Sequence, residues 1–270
     1  MNPDQSAESL YEEYLVSPWS EPSRREREFL DAGEPLAATL PDGTTVFGRR
    51  WRPPGDSRGT VLLAHGWAGR SATWLVLVPL LLAAGYDAVA FDAPGHGETR
   101  AADAETRSHF FLFAATLLAA QKALGEDRPF VAIVGHSFGA SVFPYALNRG
   151  FRAERAILIA PTARVESLLP RWADARGLAP DRVSAIRALW IAEFGAEILA
   201  STDPVVQVAH ATTPALILHD VGDVEVPVED GRELARTWPG AVFEATTGLG
   251  HRRILLSRAA MERIVDSIRA

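Results

Sequence analysis

The fold of this chain is decided by the stretch Val131-Ala132-Ile133-Val134-Gly135-His136-Ser137-Phe138-Gly139-Ala140-Ser141. Its first four residues are apolar and mostly β-branched, which favours a buried strand that ends at Gly135. A helix-compatible segment follows Ser137. Between the two lies G-x-S-x-G, whose glycines lack the Cβ atoms that would obstruct a sharp turn of the backbone. We therefore predict a strand, a strained turn with Ser137 at its tip, and a helix.

Such a turn would favour Ser137 as a nucleophile. Its Oγ would be exposed at the carboxyl edge of the sheet, where a helix N-terminus favours negative charge. The backbone amide of Phe138 would point to the place where an oxyanion forms. The alternative interpretation is an ordinary strand followed by a Gly-Ser turn, so the other members of a nucleophilic site must be sought elsewhere in the chain.

The composition is that of a single globular α/β domain. The chain has 270 residues, of which 47% are hydrophobic and 23% charged, enough for a large core. A net charge of −7 argues against a nucleic-acid partner. The chain contains no cysteine, which excludes disulfides, thiolate metal sites and a cysteine nucleophile.

Nothing in the sequence predicts a membrane partner. The first 13 residues are polar and acidic, unlike a signal peptide. The longest apolar run, Trp74–Ala84, has 11 residues and contains a proline, too short to cross a bilayer. We expect a cytoplasmic protein.

Residues 1–35 form an amino-terminal extension with two helical signals, at Ser9–Leu15 and Pro22–Leu30. The mixed charges of the second signal are typical of a solvated helix face. The extension either packs on the main domain or contacts a second subunit, so a homodimer remains open.

The main domain, residues 36–270, begins with a predicted antiparallel hairpin, Leu36–Leu40 and Thr45–Arg52, around the turn Pro41-Asp42-Gly43. Strands and helices then alternate, which predicts right-handed crossovers and a mostly parallel sheet covered on both faces. The predicted strands are 60–64, 87–91, 130–134, 156–160, 215–219 and 241–245, and the predicted helices are 72–84, 105–124, the segment after Ser137, 229–237 and 252–269.

Residues 161–211 interrupt this alternation with helical spacing and no clear strand, which predicts a small helical cap inserted above the sheet. The cap residues Trp172, Trp190 and Phe194, together with Trp67, are candidates for an apolar substrate pocket. The alternative is that these aromatic side chains attach the cap to the sheet.

A serine hydroxyl needs a base, and the base needs an orienting carboxylate. His251 is the candidate base, because it follows a glycine-rich turn between the last strand and the last helix. Asp223 is the candidate carboxylate, because the turn at Gly222 can project it across the sheet edge. Asp220, at the strand end, is its rival, and Glu225 is less favoured.

The second oxyanion donor is expected in the loop His65-Gly66-Trp67-Ala68-Gly69, which follows a predicted strand. Gly66 permits a close backbone approach and the amide of Trp67 is the candidate donor, although the indole of Trp67 could instead only pack. No H-E-x-x-H motif or close His/Asp cluster predicts a metal site.

Together these motifs resemble the α/β-hydrolase superfamily, and within it the single-domain serine hydrolases of the esterase, lipase and serine-aminopeptidase type. The resemblance covers about residues 36–270 and includes Asp92-Ala93-Pro94-Gly95-His96-Gly97, which in that family is a structural turn. It implies an eight-stranded sheet, an acyl-enzyme mechanism and no cofactor. A serine at position 137 departs from the haloalkane dehalogenases and epoxide hydrolases, which use an aspartate nucleophile, and the H-G-G-G signature of some lipases is absent.

The sequence therefore predicts a serine hydrolase that acts on a small-molecule acyl substrate, a small or medium carboxylic ester. A carbon–carbon bond hydrolase and a perhydrolase use the same triad and remain alternatives. A non-catalytic ligand-binding protein on the same fold is a further alternative, although such a protein would not need the three triad residues together.

Overall fold

Eight strands form one sheet in this computed structural model, which describes residues 5–100, 106–125 and 129–270. The strands are β1 (Glu34–Thr39), β2 (Thr45–Trp51), β3 (Thr60–Ala64), β4 (Asp87–Phe91), β5 (Ala132–His136), β6 (Ala156–Ile159), β7 (Ala215–Asp220) and β8 (Val242–Thr246). Their order across the sheet is β1-β2-β4-β3-β5-β6-β7-β8. The pairs β1/β2 and β2/β4 are antiparallel and all others are parallel. The predicted fold is confirmed.

Twelve α-helices accompany these strands in the described part of the chain. They are α1 (Ala7–Leu15), α2 (Arg24–Asp31), α3 (Leu77–Ala83), α4 (Phe110–Ala123), α5 (Phe138–Leu147), α6 (Leu168–Asp174), α7 (Pro180–Phe194), α8 (Ala196–Thr202), α9 (Pro204–Gln207), α10 (Val228–Thr237), α11 (Gly250–Arg253) and α12 (Arg258–Arg269). Among the described residues, no helix combines the length and apolar character needed to cross a membrane.

The central strands are buried on both faces because helices cover both sides of the sheet. Every residue of β3, β4 and β5 is buried. Successive side chains of β5 point to opposite faces, so Ile133 packs in a core with α4 and α5, whereas Val134 packs in a core with α3 and α12. Because both faces of β5 are covered, the run Val131–Val134 is apolar without alternation.

Several predicted elements have different bounds. The strand predicted at 130–134 is β5 and extends to His136, while Phe130 makes only an isolated bridge to Ala153. The helix predicted at 105–124 begins at Phe110; Glu105 lies outside the described residues.

Two predicted helices are interrupted. The helix predicted at 72–84 consists of a 3-10 turn, Ser71–Trp74, and the separate helix α3. The helix predicted at 252–269 is divided into α11, a 3-10 turn and α12. The division falls at Ser257, whose side chain accepts a hydrogen bond from the amide of Ala260 and so caps a new helix start.

Between β6 and β7 lie the helices α6–α9, and the amino-terminal helix α1 packs against them. One cluster of buried side chains joins α1 to α6, α7 and α8: Leu10, Tyr11, Leu15, Leu169, Ile186, Trp190 and Leu199. The helix α2 lies elsewhere, beside the hairpin, where the carbonyl of Phe29 accepts a hydrogen bond from the indole of Trp51. The extension therefore packs on the domain at two separate places.

The turn after β4 is organised by the buried carboxylate of Asp92. One of its oxygens accepts hydrogen bonds from the amide and the hydroxyl of Ser71, at 2.5 and 2.7 Å. The other accepts a hydrogen bond from the amide of Glu98 at 2.8 Å. Asp92 thus connects the loop after β3 to the loop after β4, as expected for a structural turn.

Replacing Asp92 by Asn is expected to lower the free energy of unfolding by about 2–4 kcal/mol, because an amide group would confront buried N–H donors with a further donor. Urea unfolding followed by circular dichroism measures this loss. The same substitution at Asp42, which accepts one hydrogen bond from Thr44 in an exposed turn, should cost less than about 1 kcal/mol. Equal losses at the two positions would contradict the structural role of Asp92.

Candidate active site

Ser137 lies at the tip of a strained turn between β5 and α5. Its φ of 51° and ψ of −117° place a non-glycine residue in a sparsely populated backbone region. The surrounding backbone is very close: a Cβ atom on Gly139 would lie 2.5 Å from the carbonyl oxygen of Ala64. A Cβ atom on Gly66 would lie 3.0 Å from the Cβ of Ser137. Gly66 and Gly139 therefore both lie at the close contact between the chain at the end of β3 and the serine turn.

His251 and Asp223 form a direct pair. The Nδ1 of His251 lies 2.7 Å from the Oδ2 of Asp223, and the side chain of Asp223 is fully buried. Its other oxygen, Oδ1, accepts hydrogen bonds from the amides of Glu225 and Val226. Burial opposes its charge, but hydrogen bonds from His219, His251 and Val226 outweigh burial and hold the pKa of Asp223 well below its usual value.

The two other acidic candidates have different partners. Asp220 accepts hydrogen bonds from the amides of Gly222 and Leu249 and from the hydroxyl of Thr246, so it fixes the loops after β7 and β8. Glu225 forms a salt bridge with Arg252. The structure therefore brings Asp223, and neither rival, to the imidazole of His251.

The loop that carries Trp67 is supported from below by His65. The ring of His65 contacts the carbonyl of Gly66 through Nδ1 and accepts a hydrogen bond from the amide of Ala93 at Nε2. This arrangement requires a neutral ring with its proton on Nδ1, and burial lowers the pKa of His65 accordingly. Ala68, in the same loop, has a positive φ of 59°.

A cavity of about 560 Å³ opens above the sheet edge, within the usual range for small-molecule sites. Ser137, His251, Trp67 and Phe138 all line it. Neither the amide of Trp67 nor that of Phe138 donates a hydrogen bond to any described residue.

Two of the three aromatic residues that were candidates in the cap line this cavity, and the third does not. Trp172 and Trp190 line it. Phe194 is not among the lining residues, and its ring packs 5.1 Å from that of Trp190 and 4.8 Å from that of His109, both of which line the cavity.

Two histidines near the site, His136 and His219, were not predicted from the sequence to have a role there. The buried ring of His136 donates a hydrogen bond through Nε2 to the backbone carbonyl of His251 at 2.9 Å, and the two rings lie 4.7 Å apart. The buried Nε2 of His219 lies 3.2 Å from Asp223 and 3.0 Å from the carbonyl of Val226. Both are next to motif residues in the sequence, at Ser137 and Asp220, and this adjacency is the one signal that could have drawn attention to them.

The described residues contain no group of three or more histidine, cysteine, aspartate or glutamate side chains that could hold a metal ion.

Acid should destabilise the fold through its buried neutral histidines. Burial and a neighbouring histidine lower the pKa of both His96 and His136 to about 3, whereas an unfolded histidine has a pKa of about 6.5. The stability that each neutral histidine contributes is fully present above about pH 6.5 and is lost as the pH falls toward 3. At pH 5 the free energy of unfolding is lower by about 2 kcal/mol per group. The lowered pKa of Asp223 adds a loss only below about pH 4.

Urea unfolding at pH 7.5 and 5.0 measures this loss. The matched variant is His96→Phe, since His96 packs among aromatic rings and its Nε2 has no hydrogen-bond partner in the described structure. The variant should lose about 2 kcal/mol of the pH dependence, the share of one group, while the rest remains because burial also lowers the pKa of His65, His109 and His136. Equal unfolding free energies for the parent at the two pH values would contradict the expectation.

Comparison with known proteins agrees with this architecture. Residues 61–266 match the model of the alpha/beta hydrolase family. Over 103 residues the chain is 27% identical to the monoglyceride lipase of Homo sapiens, a stretch that covers 37% of this chain and 34% of the lipase. The chain thus matches about a third of that relative's length.

Solved structures extend the likeness to nearly the whole fold. An esterase from Pyrococcus furiosus has a TM-score of 0.68 at 18% identity, with 94% of this chain and 97% of the esterase covered. An esterase from Exiguobacterium antarcticum has a TM-score of 0.65 at 16% identity, with 87% of this chain and 99% of the esterase covered. At these identities the structures show a shared fold. Since the family model spans most of the sequence, the chain belongs to the alpha/beta hydrolase family.

Proposed function

We propose that the chain is a serine hydrolase that cleaves a small or medium carboxylic ester, with Ser137 as nucleophile, His251 as general base and Asp223 as the orienting carboxylate. The observation that carries the proposal is the 2.7 Å contact between His251 Nδ1 and Asp223 Oδ2 beside a cavity that Ser137 also lines. A proton held on Nδ1 leaves Nε2 free to accept another.

In the proposed reaction, Nε2 of His251 accepts the hydroxyl proton of Ser137 while Oγ attacks the ester carbonyl carbon. The backbone amides of Trp67 and Phe138 donate hydrogen bonds to the resulting oxyanion. The tetrahedral intermediate then expels the alcohol, which takes the proton from His251. Water repeats the sequence on the acyl-enzyme, releases the carboxylic acid and restores Ser137.

The buried charge of Asp223 suits this role. An imidazolium forms on His251 in both transition states, and a carboxylate that stays ionised stabilises it. The hydrogen bonds that lower the pKa of Asp223 therefore favour proton transfer from Ser137. The likeness to esterases and to a monoglyceride lipase supports an ester as the substrate class.

Ser137→Ala should abolish labelling by a fluorophosphonate probe and lower kcat on p-nitrophenyl esters by on the order of 10⁴-fold. Mass spectrometry of the labelled protein and steady-state kinetics measure the two effects. The control is Ser184→Ala, since Ser184 lies on the exposed surface of α7 and bonds only its own helix. Near-native turnover by the Ser137 variant, or an unlabelled parent protein, would overturn the proposal.

His136 should act as a positioning residue, because its ring holds the backbone of the proposed base. His136→Ala is expected to lower kcat by on the order of 10-fold or more, with KM changed less than threefold, since a small displacement of a catalytic group is costly. His136→Gln retains a donor and should recover part of kcat.

Kinetics over pH 6–9 and thermal unfolding distinguish this role from a loss of stability alone. Variants that differ in melting temperature yet share the parent's kcat would contradict positioning by His136.

A further inference from the structure

The amino-terminal helix reaches the candidate active site. Tyr14 and Leu15, at the end of α1, line the same cavity as Ser137 and His251. The family match begins at residue 61, so these two lining residues lie outside the part of the chain that the family model describes. The wall that they form is a feature of this chain's own extension.

Tyr14 is packed into an aromatic surface shared with the cap. Its ring meets the ring of Trp172 edge-on at 5.3 Å and that of Trp190 at 5.7 Å. Both tryptophans also line the cavity. Aromatic side chains with few rotatable bonds provide a large apolar contact area at a low entropic cost, so this wall suits an apolar group.

Several contacts fix the end of α1 in this place. The hydroxyl of Tyr11 donates a hydrogen bond to Glu193 of α7 at 2.8 Å, and Arg107 pairs with the same carboxylate at 2.6 Å. The carbonyl of Leu15 accepts a hydrogen bond from the amide of Ser108 at 2.7 Å. The helix is thus bonded both to the cap and to the segment before α4, which gives the wall a defined position.

We propose that α1 supplies a substrate-binding wall and that Tyr14 contacts the apolar acyl group of the ester, so that the extension sets selectivity for medium acyl chains over acetyl. This inference rests on the proposed esterase function for the identity of the acyl group. The chemistry at Ser137 does not require the wall, because none of the groups proposed to act in the reaction lies on α1.

The first test measures binding without turnover. In the Ser137→Ala background of the full chain, isothermal titration with p-nitrophenyl octanoate compares the parent, Tyr14→Ala and Tyr14→Phe. Tyr14→Ala should raise Kd about tenfold through the loss of a buried aromatic contact, whereas Tyr14→Phe keeps the ring and should stay within twofold. Unchanged affinity in Tyr14→Ala, or no binding of p-nitrophenyl octanoate by the parent, would overturn the proposal that Tyr14 forms a substrate-binding wall.

The second test measures selectivity in the chain with Ser137 intact. Tyr14→Ala should lower kcat/KM about tenfold for p-nitrophenyl octanoate and less than threefold for p-nitrophenyl acetate. Ser9→Ala is the control on the same helix, since Ser9 is exposed, does not line the cavity and its hydroxyl only accepts a hydrogen bond from Gln5; its octanoate-to-acetate ratio should equal that of the parent. Equal losses on both esters would overturn the assignment of the acyl group to Tyr14.

The two proposals fail in different ways. If the esterase proposal is wrong, neither ester is hydrolysed and no fluorophosphonate label appears, while the titration still decides whether Tyr14 binds an apolar ligand. If the wall alone is wrong, both esters are hydrolysed and the ratio of their kcat/KM values does not depend on Tyr14.

Discussion

The close passage of one backbone segment over another at the serine turn constrains the rest of the structure. The chain at the end of β3 passes the turn between β5 and α5 at a separation that leaves no room for a side chain on Gly139 and little room for one on Gly66. Ser137 is held there at a positive φ, a conformation that costs of order 1–3 kcal/mol. Such strain persists only where the surroundings determine it fully. Here β5 provides that support, because it lies between β3 and β6 with all of its residues buried.

A second constraint is the buried carboxylate of Asp223, which follows the end of β7. An ionised group without solvent is stable only when hydrogen bonds replace water, and Asp223 receives them from two backbone amides and two histidines. The backbone of His251 is in turn bonded to His136, the residue before Ser137. The strained turn and the buried charge are therefore linked through His136, whose hydrogen bond joins the serine turn to the short helix α11 that carries His251.

The parts of the site that follow from local sequence could be predicted, and those that depend on distant contacts could not. The serine turn is encoded by glycines on either side of Ser137, and the carboxylate by the short turn at Gly222. The predicted end of β5 was two residues too early because His136 is polar yet buried, which an apolar pattern cannot reveal. The break at Ser257 has a local cap signal that the longer amphipathic pattern concealed. The contact of Tyr14 with Trp172 and Trp190 joins residues far apart in the chain, so no local pattern announces it.

The residues of the proposed reaction and those of the proposed selectivity lie in different parts of the molecule. Ser137 and Asp223 lie in turns after β5 and β7, and His251 lies in the short helix α11 after β8, so a rigid sheet sets their relative positions. Most of the aromatic lining comes from outside the sheet: Trp172 and Trp190 from the insertion, Tyr14 from the extension. Helices packed on one another through a small cluster can change their side chains without disturbing the strained turn or the buried charge. The residues that would stabilise the transition state follow the strands of the sheet, whereas those that would contact the rest of the substrate belong to the insertion and the extension. Such a fold can keep one reaction while the walls of its cavity change.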